Sequence, residues 1–230
     1  MFFGAHPDDV ELNCGGTVLN LTASGKKIGI VDLTLGELST RGDLKTRNKE
    51  TEKASELLRI SARENLKIGD GNIRINDENI KKVIVIIRKF KPEIIFAPYP
   101  HDRHPDHVNA SNLLRESYFY SGLNKIKTPG LDAFRPKKIF YYRNAYDAPV
   151  SFIIDITASY KRKIEVLKCF GSQFYDQQNN EPETFISSKL FQYEIESRAR
   201  HFGFKIGVEF GEPYYSYEAI KVNEKSLFEI

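Results

Sequence analysis

Short apolar segments alternate with amphipathic segments through most of this sequence, and this alternation constrains the fold more than any other feature. Apolar runs such as EIIFAPY (93–99) predict buried strands, and segments such as 76–90, with Ile80, Ile84 and Ile87 on one face, predict helices. Strands are predicted at about residues 1–5, 26–35, 64–68, 93–99, 137–144 and 151–156, and helices at about 15–24, 45–60, 76–90, 104–120, 157–170 and 187–204. This order is typical of a parallel sheet whose strands are joined by crossover helices, so we predict an α/β protein. An irregular tail is predicted from residue 211 onwards.

Length and composition limit the classes of protein that this chain can belong to. Its 230 residues suit a single domain over 1–230, and 40% hydrophobic against 28% charged residues is ordinary for a globular protein. A net charge of +3 predicts no nucleic-acid partner, and the absence of an apolar run near the ~20 residues that span a bilayer predicts no membrane partner. No secretory signal is recognisable, and the two distant cysteines, Cys14 and Cys169, are predicted to be free thiols. These features predict a cytoplasmic protein.

Ionisable side chains directly follow two of the predicted strands. Within GAHPDDVE (4–11), His6, Asp8 and Asp9 follow the first strand. The segment HDRHPDH (101–107) follows a later apolar strand and carries three histidines. Polar groups this dense beside a core strand are unfavourable unless a ligand or a reaction requires them. Because ligands bind beyond the carboxyl ends of the strands in an open α/β sheet, the two segments are expected to meet in one crevice.

The spacing within the second segment places two histidines on one helix face. His104 and His107 are three residues apart, and the same stripe continues along apolar residues, so both are expected to face the sheet. Catalytic zinc commonly takes three His or carboxylate ligands and leaves a further position for water. His6 and Asp9, together with one of the two later histidines, would satisfy that count. The spacing alone does not decide between His104 and His107.

Asp8 is predicted to act as a general base. Adjacent side chains of an extended loop point in opposite directions, so Asp9 would bind a metal while Asp8 faces the bound water. A bound cation lowers the pKa of water from ~16 toward ~7, and a positioned carboxylate then takes its proton. His104 would stabilise the developing oxyanion, and Asp106 would hold its imidazole in orientation.

Each motif by itself also has a plainer interpretation. HPDD alone is compatible with a turn in which an aspartate caps the next helix, and HPDH alone with ordinary helix N-terminal chemistry. Their joint occurrence after two apolar strands favours the metal site. A non-catalytic nucleotide-binding module is a weaker alternative, because the first loop lacks G-x-G-x-x-G and carries acidic groups where a phosphate would lie. The pair Gly15 and Gly16 is attributed instead to close packing of a helix against the sheet.

These motifs resemble the PIG-L/LmbE-like family of zinc-dependent N-acetylglucosaminide deacetylases. The resemblance runs through AHPDDVE (5–11), RNKE (47–50), DRHPDH (102–107) and SQF (172–174). GELSTRGD (36–43) and ESRARHFGFKIGVEFGEP (196–213) are similar to the members that deacetylate N-acetylglucosaminyl malate in bacillithiol biosynthesis. The resemblance implies a Rossmann-like three-layer α/β/α sandwich with a mostly parallel sheet, and a homo-oligomer, either a trimer or a hexamer.

The family pattern also implies a role for each residue of the two motifs. It makes His6, Asp9 and His107 the ligands of one zinc ion per chain. It makes Asp8 the general base and His104 the group that stabilises the oxyanion, with Asp106 as its partner. His and Asp ligands also accept other divalent metals.

Arginines near the predicted crevice are candidates for binding the two carboxylates of a malate group. A planar guanidinium suits a carboxylate, and Arg41, Arg47 and Arg103 lie near the motifs. Arg47 lies on the buried stripe of its predicted helix, so it is expected to face a ligand or an internal partner, with a salt bridge to Glu50 as the alternative. For Arg41 and Arg103 the alternative is a solvated surface position. The predicted reaction is removal of the N-acetyl group from N-acetylglucosaminyl malate, and the alternative is the same reaction on another N-acetylglucosamine conjugate or an oligosaccharide.

Overall fold

A computed structural model describes residues 1–224, and the last part of the predicted domain and tail, 225–230, lies outside the described residues. The strands are β1 (Phe2–Gly4), β2 (Gly29–Asp32), β3 (Ala62–Asn65), β4 (Ile94–Pro98), β5 (Lys138–Tyr142), β6 (Phe152–Asp155) and β7 (Gly211–Tyr215). The helices are α1 (Asp9–Ala23), α2 (Leu44–Leu58), α3 (Asp77–Phe90), α4 (Pro105–Ser121), α5 (Tyr160–Leu167) and α6 (Lys189–Lys205). Within residues 1–224, no helix combines the length and the apolar character that crossing a lipid bilayer requires.

The strands form one seven-stranded sheet in the order β3-β2-β1-β4-β5-β7-β6. Strands β1 to β5 pair in parallel, whereas β7 is antiparallel to both of its neighbours. After β3, at one edge of the sheet, the chain returns to place β4 on the other side of β1. The strand order therefore reverses between β1 and β4, and the carboxyl ends of these two neighbours open at a topological switch point, where ligands bind in sheets of this kind.

Apolar side chains cover both faces of the sheet and form two cores. Phe2 belongs to one core together with Val18 of α1 and Leu58 of α2. Phe3 belongs to the other core together with Ile87 of α3. Because successive side chains of a strand point to opposite faces, the sheet lies between two helical layers. The structure thus confirms the predicted three-layer α/β/α fold with a mostly parallel sheet.

The segment predicted to start an irregular tail contains β7, so the prediction is wrong for Gly211–Tyr215. Pro213 has no backbone donor and Glu212 is polar, so the segment lacks the apolar alternation expected of an interior strand. Glu212 is nevertheless buried, because its carboxylate accepts hydrogen bonds from Gly16 N–H at 2.9 Å and from Lys163 Nζ at 2.7 Å. A buried ion pair takes the place of the apolar side chain that a strand pattern requires.

Helix α1 begins at Asp9, earlier than the predicted start near Gly15. The two glycines therefore lie inside the helix. A Cβ atom on Gly16 would lie 2.7 Å from the Cβ and Cγ2 atoms of Ile156, so glycine lets the segment after β6 approach the helix closely. Gly16 serves close packing, but its partner is Ile156 rather than the sheet itself.

Candidate active site

The turn between β1 and α1 holds the first motif in a strained conformation. Asp8 has a φ of 119°, in the left-handed region, which costs a non-glycine residue about 1–3 kcal/mol. The Asp9 carboxylate accepts a hydrogen bond from His6 N–H at 2.9 Å and closes the turn. The expected extended loop is therefore wrong, since Asp9 is already the first residue of α1. The left-handed turn at Asp8, and not an extended alternation, separates the two carboxylates.

Three side chains of the two motifs converge at the switch point. His6, Asp9 and His107 each offer one ligand atom, and these atoms lie within 4.8 Å of one another. His107 Nε2 is 3.2 Å from Asp9 Oδ1, and His6 Nδ1 is 3.7 Å from Asp9 Oδ2. These are the residues that the family resemblance implies as metal ligands. A second group, His6 with His104 and Asp106, meets the same distance criterion.

A carboxylate lies against the other ring nitrogen of both His6 and His107. Asp70 Oδ1 is 3.0 Å from His6 Nε2, and Asp102 Oδ1 is 3.0 Å from His107 Nδ1. Carboxylates in this position fix the ring orientation of metal-binding histidines and increase their basicity. They leave His6 Nδ1 and His107 Nε2, the nitrogens nearest to Asp9, available to a cation. This donor set therefore fits a divalent metal such as zinc.

The electrostatics of this centre favour positive charge. Burial alone would lower the pKa of His107, but the Asp9 and Asp102 carboxylates raise it to about 9. Burial also opposes the charge on His6, yet hydrogen bonds to Asp106, Asp70 and Asp9 raise its pKa well above 6.5. Protons and a divalent cation would therefore compete for the same nitrogens.

Asp8 lies beside this centre, and one of its carboxylate oxygens accepts no hydrogen bond from residues 1–224. Arg47 Nη2 is 3.3 Å from Asp8 Oδ2, but no hydrogen bond from the described part of the chain reaches that buried oxygen. Burial raises the pKa of Asp8 to about 7; Arg47 opposes that rise, and the neighbouring Asp9 adds to it. A carboxyl group that titrates near neutrality suits proton transfer at physiological pH.

Arg47 is buried and faces Asp8 rather than the alternative partner Glu50. Its Nη1 also donates a 3.4 Å hydrogen bond to the Ser39 hydroxyl. The Glu50 carboxylate instead accepts hydrogen bonds from the backbone N–H and the hydroxyl of Ser172, both at 2.7 Å. Arg47 thus balances the charge of Asp8 inside the pocket.

His104 caps α4 with its ring. Nδ1 accepts a 3.2 Å hydrogen bond from Asp106 N–H, which places the proton of the neutral ring on Nε2. Burial, with the nearby His107 and His6, lowers the pKa of His104, so the ring is neutral at pH 7. The Asp106 carboxylate does not support the ring as predicted, because it accepts a 2.7 Å hydrogen bond from Gly71 N–H and lies 3.5 Å from His6 Nε2. The backbone of Asp106, and not its side chain, orients His104.

These groups line one pocket of about 500 Å³. Arg47 and Arg103 are among its lining residues, and the Arg103 guanidinium carbon lies 4.1 Å from the centre of the Phe185 ring. Arg41 is not among the lining residues. It is buried, and its Nε lies 3.9 Å from the Glu181 carboxylate. Of the three predicted substrate arginines, Arg41 is thus the one that lies outside the pocket.

Several polar residues of the pocket were not predicted from the sequence as site residues. They are Asp70, Asp102, Asn144, Glu194 and Arg198. Asp102 lies two residues before His104, so it could have been recognised as part of the second motif. The others come from loops or from α6, and only the folded chain brings them to the switch point.

A pocket at a switch point, with two histidines and a carboxylate that could hold a metal and a second acid beside them, is typical of metal-dependent hydrolases. The profile of the PIG-L family, described as GlcNAc-PI de-N-acetylase, matches residues 1–118. Diacetylchitobiose deacetylase of Thermococcus kodakarensis is 30% identical over 183 residues, which cover 74% of this chain and 67% of that protein. The chain belongs to the PIG-L family and is a metal-dependent N-deacetylase.

Solved structures support the same relationship. The conserved protein TT1542 of Thermus thermophilus is 31% identical with a TM-score of 0.88, covering 97% of this chain and 96% of that one. N,N'-diacetylchitobiose deacetylase of Pyrococcus horikoshii, solved with an inhibitor, is 27% identical with a TM-score of 0.82, covering 93% of this chain and 81% of that one.

Proposed function

We propose that this chain removes the N-acetyl group from N-acetylglucosaminyl malate. The observation that carries the reaction is the convergence of His6, Asp9 and His107 beside Asp8, whose Oδ2 has no hydrogen-bond partner in residues 1–224. A second candidate is the same deacetylation on another N-acetylglucosamine conjugate or an oligosaccharide. The relatives named diacetylchitobiose deacetylase favour that candidate.

We assign His6, Asp9 and His107 as the ligands of one divalent cation. Zinc is the metal that two imidazoles and one carboxylate suit best. Bound there, the cation supplies Lewis acidity, which lowers the pKa of water and polarises the acetamide carbonyl.

The remaining residues of the pocket move protons and stabilise charge. Asp8 takes the proton of the attacking water, and the water oxygen adds to the carbonyl carbon. Nε2–H of His104 donates a hydrogen bond to the oxyanion that forms there. Asp8 then returns the proton to the nitrogen as the C–N bond breaks, and acetate and a free amine leave. Arg47 keeps the Asp8 carboxylate in place throughout.

We assign recognition of the malate carboxylates to Arg103. Arg47 is already 3.3 Å from the Asp8 carboxylate, and Arg41 lies outside the pocket. Arg103 makes no ion pair within residues 1–224. Its guanidinium instead stacks on the Phe185 ring. A guanidinium without a carboxylate partner at the pocket can bind a malate carboxylate.

The family resemblance also leads us to propose that the chain works as a cytoplasmic homo-oligomer, a trimer or a hexamer. Light scattering of the purified protein measures the subunit number directly. A monomer at micromolar concentration would contradict this part of the proposal.

Acetate release from N-acetylglucosaminyl malate and from N-acetylglucosamine, with the metal removed and then restored, tests the function. We expect chelation to abolish the activity, zinc to restore it, and the malate conjugate to be preferred. Arg103→Ala should reduce kcat/KM for the conjugate about 10–100-fold, as expected for a lost charge-assisted hydrogen bond, and leave plain N-acetylglucosamine unaffected. An equal loss for both substrates would contradict the malate assignment, and no acetate from either would contradict the proposed reaction.

A further inference from the structure

One wall of the active-site pocket carries polar groups for which the proposed reaction has no use. Asn144 follows β5, and Glu194 and Arg198 lie one turn apart on α6; all three line the pocket. Asn144 Nδ2 and Glu194 Oε2 are buried atoms without a hydrogen-bond partner in the described residues. Native proteins rarely leave buried polar atoms unpaired, so two of them on one pocket wall point to a ligand.

The orientation of the Asn144 amide is fixed by its neighbour on α1. Asn13 Nδ2 donates to the backbone oxygen of Asp9 at 2.9 Å and to Asn144 Oδ1 at 2.6 Å. Turning either amide around would bring two donors or two acceptors together. Nδ2 of Asn144 is therefore a donor that no residue in 1–224 satisfies.

Glu194 supplies an acceptor on the same pocket wall. Its Oε1 lies 3.6 Å from both Arg143 Nη1 and Arg198 Nε, so two guanidinium groups balance its charge. Arg198 also donates from Nη1 to the backbone oxygen of Asn144 at 2.9 Å. One guanidinium thus contacts both residues and links them on the pocket wall.

This wall is joined to the metal-binding residues by short contacts. Asn13 bonds to the backbone of Asp9, and the N–H of Ala145 donates to Asp102 Oδ2 at 2.8 Å. Asp102 in turn supports His107. This wall therefore adjoins the residues at which the acetamide of a substrate would lie.

We infer that Asn144 and Glu194 form a hydroxyl-binding subsite for the sugar ring of the substrate, and that Arg198 is a positioning residue for it. In this subsite a sugar hydroxyl oxygen accepts from Asn144 Nδ2, and a sugar hydroxyl hydrogen is donated to Glu194 Oε2. A substrate carboxylate does not suit this wall, because Glu194 repels it, so a malate group belongs at Arg103. This inference rests on the proposed function, since it takes an N-acetylated sugar as the ligand.

Equilibrium binding of N-acetylglucosamine and of its 3-deoxy, 4-deoxy and 6-deoxy analogues to the metal-loaded protein tests the subsite. Glu194→Gln, which keeps the side-chain shape, and Asn144→Ala should each weaken binding of the parent sugar about ten-fold. The wild-type protein should bind one deoxy analogue about ten-fold more weakly than the parent sugar. The Glu194→Gln variant should bind that analogue as tightly as the wild-type protein does. Binding is measured separately from acetate release, so a chain that binds the sugar without hydrolysing it would overturn the proposed function and leave this inference standing.

Glu196→Gln is the matched control. Glu196 lies on the same helix and also pairs with an arginine four residues on, Arg200 at 2.8 Å, but it is exposed. Its variant should bind the sugar like the wild type. The inference would be overturned by unchanged sugar binding in Glu194→Gln or by an equal loss in the control. It would also be overturned if, for all three analogues, the loss caused by Glu194→Gln simply added to the loss caused by removing the hydroxyl. Melting temperatures show whether Asn144→Ala is folded, and Glu194→Gln carries the test if it is not.

Discussion

Asp8 brings together three features that rarely coincide in one residue. Its backbone is left-handed at φ 119°, its Oδ2 accepts no hydrogen bond from residues 1–224, and burial raises its pKa to about 7. Strained residues persist only where their surroundings hold them. Here the bond from His6 N–H to the Asp9 carboxylate closes the turn, and Arg47 holds the Asp8 side chain. The strain aims the carboxylate into the pocket.

Asp8→Asn should abolish most of the activity and spare the metal. The amide keeps the shape of the side chain but cannot take a proton from water, so we expect kcat to fall about 10²–10⁴-fold. Metal analysis should still find one equivalent per chain, and the melting temperature should show a folded protein. Wild-type kcat in a metal-loaded variant would exclude Asp8 as the base.

His107→Ala and His104→Ala should separate metal binding from catalysis. His107 Nε2 lies 3.2 Å from Asp9 and its ring is supported by Asp102, whereas Nδ1 of His104 is occupied by the backbone of Asp106. After dialysis, the first variant should retain little metal, and the second should retain it with a reduced kcat. The reverse order would favour the alternative ligand group that contains His104 and Asp106.

At the scale of elements, α1 connects several parts of the fold. Its first turn carries Asp9, and its middle contacts β7 through Glu212 and the segment after β6 through Gly16. Asn13 lies between these regions and orients Asn144 in the pocket wall. One helix therefore links the proposed ligand Asp9, the sheet extension and the proposed sugar subsite.

Gly16→Ala should destabilise the protein, although alanine normally favours a helix interior over glycine by about 1 kcal/mol. The added Cβ would lie 2.7 Å from two carbons of Ile156, so we expect overpacking to cost about 1–3 kcal/mol in the free energy of unfolding. Urea denaturation measures this change. Gly69→Ala is the control, because its nearest neighbour would be 3.7 Å away, and equal stability of the two variants would contradict the packing argument.

The sequence was most informative where one physical rule acts along the chain. Strand and helix alternation predicted the parallel part of the sheet, and the position of the two motifs after strands predicted where His6 and His107 meet. The rule failed at Glu212, because a buried carboxylate with Lys163 and backbone partners looks like a surface residue in sequence. Prediction from the sequence also missed Asp70 and Glu194, because their roles depend on contacts that form only in the folded chain.

At the scale of the whole molecule, the reversal of strand order makes β1 and β4 neighbours. His6 and Asp9 follow β1, and His104 and His107 follow β4, so residues about a hundred positions apart converge on one proposed ion-binding centre. The centre gathers carboxylates from Asp70 and Asp102 as well. Protons on His6 and His107 or a bound cation would balance its charge, which links metal binding to pH.

Zinc binding should release protons. The pKa of His107 is raised to about 9, so without metal the ring is protonated at pH 7 and must lose that proton to offer Nε2 to a cation. The apparent affinity for zinc should therefore increase with pH up to about 9. Calorimetric titration of the chelator-treated protein at pH 7, in buffers of different ionisation enthalpy, counts the protons.

His104→Ala is the control for that measurement. The pKa of His104 is lowered by burial and by its histidine neighbours, so its ring carries no proton to lose at pH 7. Its variant should release as many protons as the wild type. A binding heat that does not depend on the buffer would contradict the protonation state assigned to His107.

The position of β7 has a consequence for synthesis of the chain on the ribosome. Residues 1–210 contain β1 to β5 in their final parallel order, but within the described structure β6 hydrogen-bonds only to β7, and β5 pairs with β7 along its outer edge. Until Gly211–Tyr215 emerges, β6 has no strand to join and β5 presents an open edge, which invites pairing with another nascent chain. A truncation just before residue 211 would thus detach two strands rather than one, and a chaperone that shields β5 would protect the nascent chain until β7 has emerged.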